Sequence, residues 1–130
     1  MGTPLEAWHE IVRTRDGAAL ESLLDDDVIF ESPVVHTPQL GKGITTLYLR
    51  AALSLLVNEK FRYVNEWPGP SSAVLEFATE VDGITLNGVD IISWSEAGHI
   101  THFKVMVRPL KAINTLHQKM GELLAAKLPV

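Results

Sequence analysis

Two tight turns late in the chain settle most of its architecture. Residues 73–81, 84–94 and 100–107 each have strand composition, and Asp82-Gly83 and Glu96-Ala97-Gly98 join them. A two-residue Asp-Gly joint between alternating apolar runs is a strong hairpin signal, so the three runs read as an antiparallel meander. Residues 61–67, ended by Pro68-Gly69-Pro70, read as a strand before it, and residues 28–31, stopped by Pro33, as another. Such a sheet needs one covered face, and the rest of the chain must cover it.

That cover is helical. Thr3, Pro4 and Glu6 form a capped helix start, after which Leu5, Trp8, Ile11 and Val12 share one face. A second short helix is expected from Asp16, burying Leu20, Leu23 and Leu24 and ended by Asp25, Asp26 and Asp27, a solvated acidic corner. Beyond a loop marked by Pro38, Gly41 and Gly43, Ile44, Leu47, Tyr48, Ala51 and Leu55 predict a third helix ending near Asn58. Pro109 opens a last helix carrying Leu110, Ile113, Leu116, Met120 and Leu123 on one side. The order predicts an α+β fold: three N-terminal helices on a curved antiparallel sheet, a C-terminal helix, and a largely apolar pocket between the layers. At 130 residues without a repeat or linker, one domain spanning 1–130 is expected.

Composition removes several functions. The net charge is −5 and the eleven Lys and Arg residues are scattered, which argues against nucleic-acid binding. Without cysteine there are no disulfides, zinc–thiolate sites or thiol nucleophiles. No apolar run reaches the roughly 18 residues of a membrane span, and the start lacks a signal-peptide pattern, so a cytoplasmic protein is expected. No phosphate-cradling loop is present, and no cofactor or metal is expected. His99 and His102, three apart on a strand, point to opposite faces and cannot share an ion.

Strand parity isolates one acid. Ala73, Leu75, Phe77, Thr79 and Val81 fall on one side of their strand, opposite Glu76 and Glu80. On the next strand Ile84, Leu86, Gly88, Asp90, Ile92 and Trp94 share the bulkier side, so Asp90 is carried inward. On the last, Phe103, Val105 and Val107 oppose His102, Lys104, Met106 and Arg108. A carboxyl among Ile92, Trp94 and Phe103 has a raised pKa and, when neutral, can give a proton to a ligand oxygen. The alternatives are a bond to a backbone amide or to Arg50, or an outward orientation. His36, in the loop after Pro33, is a candidate base or a loop histidine bonded to backbone. Tyr48 offers a hydroxyl to the pocket or packs in the core. Thr79 orients a ligand or bonds its own strand.

Several strings resemble the nuclear transport factor 2-like superfamily, and within it the ketosteroid isomerase and SnoaL-like polyketide cyclase group. They are Arg15-Asp16-Gly17 leading to Leu23-Leu24-Asp25-Asp26-Asp27-Val28, Glu31-Ser32-Pro33-Val34, Gly41-Lys42-Gly43-Ile44, and Gly88-Val89-Asp90-Ile91-Ile92-Ser93-Trp94 continuing to Gly98-His99-Ile100. The resemblance implies a cone-shaped α+β barrel. It puts Asp90 where ketosteroid isomerases keep a protonated oxyanion-hole Asp, a carboxylic acid held neutral by its apolar site. The isomerase's oxyanion Tyr corresponds to Trp8, and its base, an Asp before Pro, to Ser32. Standard ketosteroid isomerase activity is therefore not expected, and the Asp–Arg–Asp set of limonene-epoxide hydrolases is not found.

Two functions follow as expectations. One is a cofactor-free acid–base enzyme of isomerase, cyclase or hydrolase type, acting on a small apolar polyketide-, terpenoid- or steroid-like molecule. Asp90 and His36 would be catalytic, with Trp8, Ser32, Tyr48, Phe77, Thr79, Ile92, Trp94, Phe103 and Val105 binding the ligand. The other is a non-catalytic ligand-binding or protein-interaction domain. Under either, a homodimer is expected through the outer sheet face, where Val89, Ile91, Ile100 and Met106 lie among polar neighbours.

Overall fold

A computed structural model describes residues 3–127, and side chains as far as residue 125. Helix α1 (Pro4–Thr14) begins where expected: Thr3 Oγ1 accepts from the Glu6 amide at 3.1 Å, and Trp8, Ile11 and Val12 are buried. The second helix is shorter than its spacing suggests. A 3-10 turn (Gly17–Ala19) leads into a single turn, α2 (Leu20–Leu23), and strand β1 (Leu24–Glu31) starts at once. Asp25, Asp26 and Asp27 therefore lie on a strand, not at a helix end. Leu24 and Val28, both buried, are four apart and mimic a helical period because the β1 pairing shifts register between Leu24 and Ile29.

Strand β2 (Gln39–Leu40) is a two-residue addition within the expected loop, and α3 (Lys42–Leu56) follows. The meander comprises β3 (Arg62–Pro68), β4 (Ser72–Val81), β5 (Ile84–Trp94) and β6 (Ile100–Arg108), and α4 (Leu110–Lys127) closes the described chain. The six strands run β2-β1-β6-β5-β4-β3 in one sheet. All neighbours are antiparallel except β1 and β6, whose parallel pairing is possible because a long stretch of chain, α3 included, lies between them. The β4–β5 turn has Asp82 at φ 52° and Gly83 at φ 75°, the two positive angles of a primed hairpin turn.

The inner face follows strand parity. Ala73, Leu75, Phe77, Thr79 and Val81 are buried on β4, and Leu86, Asp90 and Ile92 on β5. Ile100 departs from its expected place on the outer face. A register shift between Ser93 and Trp94 flips the start of β6, and Ile100 is fully buried. Gly88 is a true close approach: a Cβ there would lie 2.7 Å from Phe77 Cζ and 2.5 Å from the Met106 carbonyl oxygen. The Phe77 ring thus settles over a bare backbone, which shapes the concave face. No helix among the described residues is long and apolar enough to cross a membrane.

Candidate functional site

A cavity of about 220 Å³ opens between the concave face of the sheet and helices α1, α3 and α4. Trp8 and Val12 of α1 line one wall, Leu49, Leu53 and Leu56 of α3 another, and Phe77, Phe103 and Val105 the sheet. Aromatic packing holds this wall. Trp8 meets Phe103 edge-on at 4.9 Å between centroids, and Phe61 stacks on Phe77 at 5.5 Å. The lining residues Val35, His117 and Gly121 are exposed, which puts the mouth between the segment after Ser32 and helix α4.

One polar chain crosses the apolar wall. The Trp8 indole N–H donates to the Tyr63 hydroxyl at 2.9 Å, and Tyr63 in turn donates to Asp90 Oδ2 at 2.6 Å. Asp90 is buried and lines the cavity. Burial pushes its carboxyl up to about 7, against the opposing pull of the Tyr63 hydrogen bond. Burial, with the Asp90 charge adding to it, also pushes the Tyr63 phenol well above its ordinary value, so that hydroxyl stays protonated. Near neutral pH a large share of Asp90 is an acid. Its Oδ2 then accepts from Tyr63, and Oδ1, with no hydrogen-bond partner among the described residues, can present its proton to a ligand.

Tyr63 is a site residue that sequence reasoning missed, as is His117 at the mouth. Tyr63 lies on the edge strand β3, whose residues are mostly exposed, yet Phe61 and Tyr63 alternate with Arg62 and Val64 and face inward. Strand parity applied to residues 61–67 would have found it. Its setting is secured from outside, where His9 of α1 meets the Tyr63 ring edge-on and its Nε2 lies 2.5 Å from Glu66 Oε1.

The other expected residues divide. Trp8, Ser32, Tyr48, Phe77, Phe103 and Val105 line the cavity with Asp90. The Trp8 N–H, however, is spent on Tyr63 and not offered to a ligand. Ile92 is fully buried in the core, and neither it nor Trp94, which follows the register shift at Ser93, lines the cavity. Thr79 neither lines the cavity nor bonds its own strand: it donates to the Leu56 carbonyl oxygen at 2.9 Å, tying the end of α3 to β4. His36 is exposed and absent from the lining, since the loop that starts at Ser32 turns it outward. The structure thus does not bring His36 to Asp90. No group of three or more His, Asp or Glu side chains able to hold a metal occurs among the described residues.

No family model matches the chain, and neither does any curated protein. Solved structures do. A steroid delta-isomerase from Pseudomonas aeruginosa is 34% identical, over 95% of this chain and 90% of that one, with a TM-score of 0.90. The chain belongs to the nuclear transport factor 2-like superfamily. A nuclear transport factor 2-like protein of unknown function from Mesorhizobium loti shares the fold at 16% identity, over 82% and 88% of the two chains, with a TM-score of 0.70. So does the epoxide hydrolase/cyclase-like enzyme SalBIII of salinomycin pyran-ring formation, at 18% identity, 81% and 90% coverage and a TM-score of 0.64. In this nuclear transport factor 2-like chain, Ser32 stands where the resemblance places the isomerase base. Its hydroxyl accepts from the amides of Val34 at 3.3 Å and Val35 at 3.0 Å, so it holds the loop at the mouth.

Proposed function

We propose that the cavity is the active site of a cofactor-free acid–base enzyme that moves protons on a small apolar molecule carrying a carbonyl or related oxygen. The observation that carries this reading is Asp90: a carboxyl buried in an apolar wall, lining the cavity, with Tyr63 as its hydrogen-bond donor. A neutral acid so placed protonates, or hydrogen-bonds, an oxygen that becomes negative in the transition state. Burial of a carboxyl with one hydrogen-bond donor and no cation beside it among the described residues opposes folding, and a proton-transfer role would account for its retention. Isomerase and cyclase-like relatives with the same frame are consistent with the assignment.

Cavity size narrows the ligand. A cavity of roughly 150 Å³ accepts benzene, and about 220 Å³ suits a molecule of one or two rings. A four-ring steroid would have to extend out through the mouth. The test is deuterium uptake at the carbons beside the carbonyl of β-tetralone, a two-ring ketone, in heavy water followed by proton NMR. The wild-type chain is expected to speed uptake, and Asp90→Ala to reduce that acceleration by about 100-fold or more.

Ser32 tied to its own loop and His36 turned outward favour a second reading, a ligand-binding domain without chemistry. β-Tetralone bound at saturation with uptake no faster than in buffer would support that reading against the first. Under either, the outer sheet face takes a second copy of the chain. Val89, Ile91 and half-exposed Met106 supply the apolar part of that surface.

A further inference from the structure

The C-terminal helix contributes two adjacent rows to the cavity. Leu116 and Met120, four apart, are buried core residues. His117 and Gly121, also four apart and one step round the helix, line the cavity from the exposed side, at its mouth. The second row is odd for a helix. Glycine in a helix interior is unfavourable relative to alanine, and a Cβ at Gly121 would meet no atom within 4 Å. Packing therefore does not require glycine there. Its effect is a gap in the cavity wall one turn beyond the His117 ring.

Elimination among the lining groups points to that ring. Asp90, if it acts as the acid, cannot take the first proton. Tyr63 both donates and accepts in the polar chain. Tyr48 offers only a hydroxyl, a far weaker base than an imidazole nitrogen, and Ser32 is engaged with its loop. The His117 imidazole is the lining side chain with a basic ring nitrogen to offer, and neither of its nitrogens has a hydrogen-bond or ion-pair partner among the described residues.

We infer that His117 is the proton acceptor of the cavity and that Gly121 provides the clearance through which a one- or two-ring ketone enters beside it. The inference rests on the acid–base reading above. A His117 ring nitrogen takes a proton from the carbon next to the carbonyl, and the C–H electron pair becomes a carbon–carbon double bond. The carbonyl π pair takes the Asp90 proton, leaving an enol, an imidazolium and a carboxylate. Return of one proton to carbon and one to Asp90 restores both groups, and solvent exchange at the imidazolium delivers deuterium to the product.

The experiment uses the full chain and two measurements: β-tetralone deuterium uptake, and the dissociation constant for β-naphthol, a two-ring alcohol with no exchangeable carbon of this kind. His117→Gln and His117→Ala are expected to lower uptake about 100-fold with β-naphthol affinity unchanged. Gly121→Leu is expected to raise the KM for β-tetralone while its kcat changes less. Uptake by both His117 variants within about twofold of wild type would overturn the inference, and with Asp90→Ala still impaired it would leave the acid–base reading standing. So would a loss of uptake matched by an equal loss of β-naphthol affinity, which marks His117 as a binding group. A wild-type chain that binds β-tetralone without accelerating uptake removes the acid–base reading and this inference together.

Discussion

At Asp90 the folded chain keeps a proton that the unfolded chain would release. The carboxyl is raised from 3.8 to about 7, with burial as the main cause. The sign follows from linkage: the folded state binds the proton more tightly, so this group lowers stability progressively as pH rises from about 4 to about 7. Above that window the full penalty applies, on the order of 4 kcal/mol at most. Asp90→Asn keeps an oxygen to accept from Tyr63 but cannot ionise. It is expected to change stability little at pH 4 and to raise it by a few kcal/mol at pH 8, as urea denaturation at the two pH values would show. A variant no more stable than wild type at pH 8 would mean that Asp90 carries no such penalty. Under the proposed acid–base function, a destabilising acid retained in the cavity would fit the usual conflict between activity and stability.

Among the elements, β5 does most to form the site, because it supplies both Asp90 and the bare backbone at Gly88. The contact of Phe77 with Gly88 sets where that ring lies, and Phe61 stacks on it next to Tyr63. Gly88→Ala would press a methyl against the Met106 carbonyl, which is backbone and cannot swing away. The expected loss is roughly 1–3 kcal/mol, read as a lower urea midpoint with the slope unchanged. A neutral outcome would mean that β5 and β6 separate more easily than this packing implies. The pairings explain how β3, an edge strand, brings Tyr63 to Asp90 in the cavity wall. Tyr63 is opposite Phe77, and Phe77 is opposite Gly88, two residues before Asp90, so the tyrosine hydroxyl has only to reach diagonally across the sheet.

Across the whole molecule, the two faces of one sheet differ in character. The concave face and its helices hold the cavity, while the outer face carries Val89, Ile91 and Met106 beside the Glu31–His102 pair. A homodimer through that surface predicts that Ile91→Glu, whose new charge would face the partner, lowers the mass seen by light scattering from twice the chain mass to one. A wild-type chain already monomeric at micromolar concentration would remove the dimer. Because the cavity opens on the opposite side, near α4, such a dimer leaves both mouths clear.

Local rules determined the elements and their inward faces. The Asp82-Gly83 joint, the capped start at Thr3 and the alternation through β4 and β5 are short-range patterns, and each took the conformation its spacing required. Asp90 was legible for the same reason, since parity alone turns it inward. Where local pattern was ambiguous, the tertiary structure decided. Leu24 and Val28 carried a helical period but joined a bulged strand, and a register shift buried Ile100. His36 lay close in sequence to the mouth yet faced away, whereas His117, far along the chain, came to line it. Tyr63 found Asp90 across two strands. Distances between remote segments depend on sheet curvature, register and helix docking, and these arise from packing the whole chain at once.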